Sequence, residues 1–149
     1  MSVPLDIRIA ETPEDIRRGW PVLRELRLHL ADEDELVRRV LDQQTKGYRL
    51  ALGAADGVAV VAAGYRVLDN LISGRFMYVD DLVTLASHQG RGYGTQMMTW
   101  LEGEARRHGC GFLTLDSGVQ RFEAHRFYLG HGMDITCHHF AKALGSGPA

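Results

Sequence analysis

The chain has 149 residues, 45% hydrophobic and 24% charged, with a formal net charge of -2. That length suits one core, the composition is not that of a disordered chain, and the charge lacks the basic surplus of a nucleic-acid surface. No apolar run approaches the roughly 20 residues of a bilayer span, and Met1-Ser2-Val3-Pro4-Leu5 has neither a basic region nor an apolar signal core. The expectation is a single cytoplasmic domain over residues 1–149 with no nucleic-acid or membrane partner.

Leu5 to Ala10 alternates apolar and polar residues, the pattern of a half-buried strand. Thr12-Pro13 then opens a helix, with Thr12 as cap and Pro13 at the first helical position. This helix is expected to reach about Leu30, with a kink at Gly19 or Pro21. Asp32 and Glu35 form a capping-box pattern before a second helix, Leu36 to Thr45, which Gly47 closes. Three strands follow: Tyr48 to Ala54, Val58 to Leu68 after an Asp56-Gly57 turn, and Arg75 to Leu85. A long helix from Gly92 to His108, a strand Phe112 to Asp116, a helix Arg121 to Leu129 and a strand Ile135 to Ala143 complete the order. Gly145-Ser146-Gly147-Pro148-Ala149 is expected to fray. The order β-α-α-β-β-β-α-β-α-β predicts a mixed sheet with helices on both faces. Cys110 and Cys137 read as small buried hydrophobes rather than a disulfide.

The strongest signal is Gln89-Gly90-Arg91-Gly92-Tyr93-Gly94-Thr95, between a strand and a long helix. Such a turn aims free backbone N–H groups at one point, and the helix dipole adds positive potential there. Together they suit a pyrophosphate. The glycines allow close approach and positive φ, and Arg91 and the Thr95 hydroxyl offer further contacts. A dinucleotide fingerprint G-x-G-x-x-G fails at Thr95, and no Gly-Lys-Ser/Thr exists for a P-loop. An ordinary glycine-rich turn is the competing reading.

These residues resemble the core signature of the GCN5-related N-acetyltransferase (GNAT) family, Gln/Arg-x-x-Gly-x-Gly/Ala, matched by Gln89, Gly92 and Gly94. Val79-Asp80-Asp81-Leu82-Val83-Thr84 resembles the family's fourth strand. Ala124-His125-Arg126-Phe127-Tyr128-Leu129-Gly130-His131-Gly132-Met133 resembles its A-x-x-F-Y-x-x-x-G-F segment. The resemblance implies an α/β fold with a twisted, mostly antiparallel sheet whose fourth and fifth strands splay apart. It implies acetyl-CoA as co-substrate, with pantetheine beside Leu82, Val83 and Thr84 and the pyrophosphate on Gln89 to Thr95 (Gly90, Arg91, Gly92, Tyr93 and Gly94 between them). Two positions depart from the family pattern. Gln89 replaces the commoner arginine, and Arg121 stands where many members have a pantetheine-binding asparagine, so its expected contact shifts to a CoA phosphate.

The implied reaction is direct transfer of acetyl to a primary amine on a small molecule or peptide. Two rival readings are a CoA-binding regulatory module without turnover and an acyltransferase with another acyl donor. The resemblance also implies that a homodimer is one of the allowed oligomeric states. Only a minute fraction of an alkylamine, about one part in a thousand, is neutral near physiological pH, so a general base helps. Asp80 matches the base of polyamine-acetylating members, against a plain surface carboxylate as the other reading. Strand alternation places Asp81 on the opposite face, as a support for a loop or helix. Tyr128 matches the family's general acid for the departing thiolate, against a core aromatic beside Phe127. Cys137-His138-His139 has no zinc-like spacing, so no metal is expected. Ser117 with His125 lacks a nucleophile elbow. The acidic run Asp32 to Glu35 reads either as a cap or as a lure for a cationic amine.

Overall fold

The computed structural model describes residues 3–145. The chain divides into two compact units, Met1–Leu115 and Asp116–Ala149. In the first, five strands lie in sequence order across one sheet: β1 (Asp6–Ile9), β2 (Arg49–Ala55), β3 (Val58–Asn70), β4 (Gly74–Thr84) and β5 (Phe112–Leu115). The β1–β2, β2–β3 and β3–β4 pairs are antiparallel, and β4–β5 is parallel. The parallel pair needs a crossover, which α4 (Tyr93–Arg107) supplies. The β2–β3 turn places Asp56 at φ 51° and Gly57 at φ 80°, the positive pair a tight two-residue hairpin demands.

The expected first helix is two helices, α1 (Pro13–Arg18) and α2 (Trp20–Leu26), parted at Gly19. Pro21 has no N–H to continue the ladder, so the chain restarts rather than bends. α3 (Glu33–Gln44) follows, with Asp32 Oδ1 accepting from the Glu35 N–H at 2.9 Å. Strand alternation then sorts the core. Val61, Tyr65, Met77 and Val79 pack with Met97 and Leu101 of α4. Leu50, Leu52 and Ala62 pack with Ile16, Leu23, Leu36 and Val40 of α1 to α3. Helices therefore cover both faces of the sheet. Each large side chain so buried contributes about 1.5–3 kcal/mol.

Strand β4 carries the feature that makes the site. Its register against β3 runs Asp81 to Gly64, then Val79 to Tyr65, so Asp80 is one residue extra. This bulge shifts the side-chain phase of the strand. Met77 and Val79 sit in the α4 core, and beyond the bulge Leu82 takes over that face. Val83 packs with the α1–α3 core. The pairing with β5 also stops there: its last pair is Val79 to Leu115. Asp81 to Thr84 thus pair with β3 on one side and have no β5 partner on the other, an open edge consistent with the splay that the resemblance implied.

The second unit contains α5 (Phe122–Gly130), one residue later at each end than expected. The strand expected from Ile135 to Ala143 does not form: residues 134–144 carry no helix or strand assignment. Alternating residues make a strand only beside a partner that takes up the backbone hydrogen bonds, and the described residues of this unit contain no other strand. Ile135 and Phe140 are exposed, as is Cys137, against the expectation of a buried thiol. Ser146 to Ala149 of the expected frayed tail lie outside the described residues.

Candidate functional site

A cleft of about 380 Å³ opens between the sheet and α2–α3, with Asp80 and Asp81 both in its lining. The expectation that they face opposite ways is corrected by the bulge, which turns both toward α2 and α3. Leu23, Leu36 and Val40 give the cleft an apolar side, and Arg27, Arg39, Gln43 and Tyr48 a polar one.

The two carboxylates have different partners. Asp81 accepts from Arg27 Nε at 2.7 Å and from the Tyr48 hydroxyl at 2.8 Å, one on each oxygen. Tyr48 reaches it only because residue 64 is glycine: a Cβ there would lie 1.9 Å from the Tyr48 Oη. Burial, with Asp81 beside it, pushes the Tyr48 phenol well above its ordinary value, so the hydroxyl stays a donor. Arg27 caps the C-terminus of α2 and also donates from Nη2 to the Asp80 carbonyl at 2.8 Å, tying that helix to the bulge.

Asp80 meets Arg66 Nε at 3.0 Å, and Arg66 in turn donates to Gln43 and lies over the Tyr48 ring at 5.3 Å. Burial raises the Asp80 pKa, and the Arg66 hydrogen bond draws it only part of the way back. A carboxylate with raised proton affinity that lines a cleft has the character of a general base.

The glycine-rich turn lies past β4, after a short 3₁₀ turn at Ala86–His88. Gly90 has φ 77° and Gly92 φ 83°, both in the left-handed region. Gly92 is the N-cap of α4 and makes no side-chain cap hydrogen bond to the helix amides, an arrangement that suits an anion at the helix start. Tyr93, Gly94 and Thr95 form the first turn of the helix. The Gln89 side chain donates to the Thr84 carbonyl at 3.3 Å, joining the turn to the open end of β4. Arg91 reaches back to the Ser87 carbonyl at 3.4 Å. Glycines at positive φ on a helix start, next to a strand end open on its β5 side, fit a chain-like ligand with a pyrophosphate at one end.

Tyr128 and Arg121 belong to the second unit. Tyr128 packs edge-on against Phe127 at 5.6 Å. Burial raises its pKa, with Arg121 opposing, so the phenol holds its proton. His139 pairs with Asp116 at 3.3 Å, and no group of three His, Cys, Asp or Glu among the described residues can hold a metal. In the acidic run, Asp32 caps α3, Glu33 and Asp34 hold Arg17, and Glu35 holds Arg39. Sequence reasoning missed Arg27, Tyr48 and Arg66. No local pattern marks them, since each reaches its carboxylate across the fold.

The acetyltransferase (GNAT) family model matches residues 13–133. The uncharacterized N-acetyltransferase YhdJ of Bacillus subtilis (strain 168) is 32% identical over 88% of this chain and 93% of its own length. The aminoalkylphosphonate N-acetyltransferase of Salmonella typhimurium is 30% identical over 89% of this chain and 88% of its own. Among solved structures, a ribosomal-protein-alanine N-acetyltransferase from Brucella melitensis biovar Abortus 2308 superposes with a TM-score of 0.81 at 18% identity, covering 95% of this chain and 99% of that one. The aminoglycoside N-acetyltransferase AAC(6')-Iy in complex with CoA gives 0.81 at 16%, covering 95% of each. At such identities the structural likeness is one of fold.

Proposed function

The chain belongs to the GNAT family of acetyltransferases, and from that premise we propose that it transfers the acetyl group of acetyl-CoA directly to the primary amine of a small molecule. The observation that carries this is the bulge at Asp80: the pairing with β5 stops beside it, and a carboxylate of raised pKa lies there in a small cleft. The Salmonella relative acts on an aminoalkylphosphonate, which is also a small amine. A cleft of about 380 Å³ suits an acceptor of that scale.

In this reading the amides from Gln89 to Thr95 hold the pyrophosphate, and the open edge at Leu82, Val83 and Thr84 pairs with the pantetheine amides. Arg121 takes a CoA phosphate. The neutral amine nitrogen attacks the thioester carbon, forming the C–N bond and a tetrahedral oxyanion. Asp80 supplies that neutral amine by taking the proton of the bound ammonium, directly or through water, and the second N–H proton leaves to water as the intermediate collapses. The C–S bond then breaks, and Tyr128 gives its proton to the thiolate. Both substrates are bound together, and no acyl-enzyme forms.

The test is a thiol-release assay with acetyl-CoA over a panel of primary amines, with the product identified by mass. The expected result is CoA release that requires the amine and yields its N-acetyl derivative. Saturable CoA binding with no release for any amine would leave a regulatory module instead. Faster turnover with a longer acyl-CoA would replace the donor.

A further inference from the structure

Carboxylates and guanidiniums in the cleft are separated by element. Asp80 and Asp81 come from β4, whereas Arg27 stands at the C-cap of α2 and Arg39 on α3. Each carboxylate already faces a guanidinium, Asp80 with Arg66 and Asp81 with Arg27. A simple alkylammonium entering here finds no surplus negative charge. It reaches Asp80 only in competition with Arg66, and it adds a cation beside three guanidiniums.

Two of those guanidiniums keep unused donors. Among the described residues Arg27 bonds through Nε and Nη2 only, and Arg39 through Nε and Nη2 to Glu35 only. Their side chains are 41% and 50% exposed. Arg39–Glu35 is an i,i+4 pair with an arginine half in solvent, of the weak kind that a better acceptor displaces. An oxyanion with two oxygens side by side is such an acceptor, since a guanidinium binds it through two parallel N–H donors.

We propose, resting on the N-acetyltransferase reading above, that the acceptor is an amine carrying its own oxyanion, a carboxylate or a phosphonate, which Arg39 binds with help from Arg27. The amine then lies toward Asp80 on the sheet and the acid toward the helices. A zwitterion supplies one charge of each sign to a cleft whose own charges are balanced, which a plain amine does not.

The experiment compares matched acceptors: β-alanine against propylamine, and aminomethylphosphonate against methylamine, by kcat/KM from thiol release. One charge-assisted bidentate contact predicts a preference of about 10–100-fold for the acid-bearing member. Arg39→Gln should reduce that preference to a few-fold, mostly through KM for the acidic acceptor, and Arg39→Lys should restore part of it. Thermal melts check that both variants fold. The better of the two acidic acceptors identifies which oxyanion is read. Equal kcat/KM within each pair would overturn the zwitterion assignment and leave the N-acetyltransferase reading standing. A preference that survives Arg39→Gln would overturn the role of Arg39. No thiol release with any of these four while another primary amine is acetylated would overturn the zwitterion assignment alone, and no release with any amine while acetyl-CoA binds would overturn both readings.

Discussion

The two halves of β4 share one strand and differ in what lies beside them. From Phe76 to Val79 the strand pairs with β3 on one side and β5 on the other, and its inward side chains Met77 and Val79 are almost fully buried. From Asp81 to Thr84 it pairs with β3 alone, and its side chains are only partly covered. One extra residue at Asp80 separates the two. Backbone groups that meet a neighbouring strand are committed to structure, and those left without one are available to a ligand. The same five-strand sheet therefore supplies both a core and an open edge.

Substitutions on either side of the bulge test that division. Asp80→Asn should have the largest effect, lowering kcat/KM by about 10²–10⁴-fold. The variant depends on amine that is already neutral, a fraction that falls about tenfold per pH unit. Wild type loses rate only as Asp80 itself takes a proton, and burial moves that loss above the ordinary aspartate range. The gap between the two should therefore widen as pH falls from neutral and stop widening below the Asp80 pKa, where both rates fall about tenfold per pH unit. Superimposable pH–rate profiles would remove Asp80 from the mechanism.

Met77→Ala, in the doubly paired half, should cost about 2–5 kcal/mol of stability, because a fully buried side chain leaves a cavity. Denaturant unfolding measures it. The CoA affinity of the folded fraction should hold, and a selective loss of CoA binding would blur the proposed division of the strand.

Tyr128→Phe carries the comparison into the second unit. The ring and its contact with Phe127 remain, so only the proton donor is lost. The effect should be about 10²-fold and appear in kcat, because the hydroxyl acts only once charge builds on sulfur. Steady-state kinetics beside CoA titration separates the cases: a fall in CoA affinity with unchanged kcat would make Tyr128 a binding residue.

Gly92→Val should have the smallest effect, weakening CoA binding by about tenfold. A branched side chain at φ 83° costs roughly 1–2 kcal/mol of folding stability with or without CoA. The loss of affinity, about 1.4 kcal/mol for tenfold, is expected from a side chain standing between the helix-start amides and the phosphates. Calorimetric titration is the measurement. Full affinity in the folded variant would move the pyrophosphate away from this turn.

Chain order and local chemistry were legible where the signal is short-range. The Thr12 cap, the Asp56-Gly57 hairpin turn and the strand-to-helix passage through Gly90 and Gly92 all depend on residues within a few positions of one another. The split at Gly19 was half visible, because Pro21 announces a fault in the helix but not whether it bends or restarts. The segment from Ile135 to Ala143 misled for the opposite reason. Its alternation is genuine, but a strand exists only with a partner, and no partner is written in the segment itself.

The sequence by itself determined the family, through the glycine-rich turn and the residues around Asp80 and Tyr128, since these are contiguous motifs. It also determined the sidedness of β2, β3 and the first half of β4, because side-chain direction alternates with period two. Tertiary structure alone decided that Asp80 and Asp81 share a cleft, because a bulge is a mismatch between two strands and neither strand encodes it alone. It alone brought Arg27, Tyr48 and Arg66 to those carboxylates from 14 to 54 residues away, with Gly64 leaving the space for Tyr48. Hydrogen bonds act over about 3 Å of space, whatever the separation along the chain, and so the partners of the candidate base become visible only once the chain is folded.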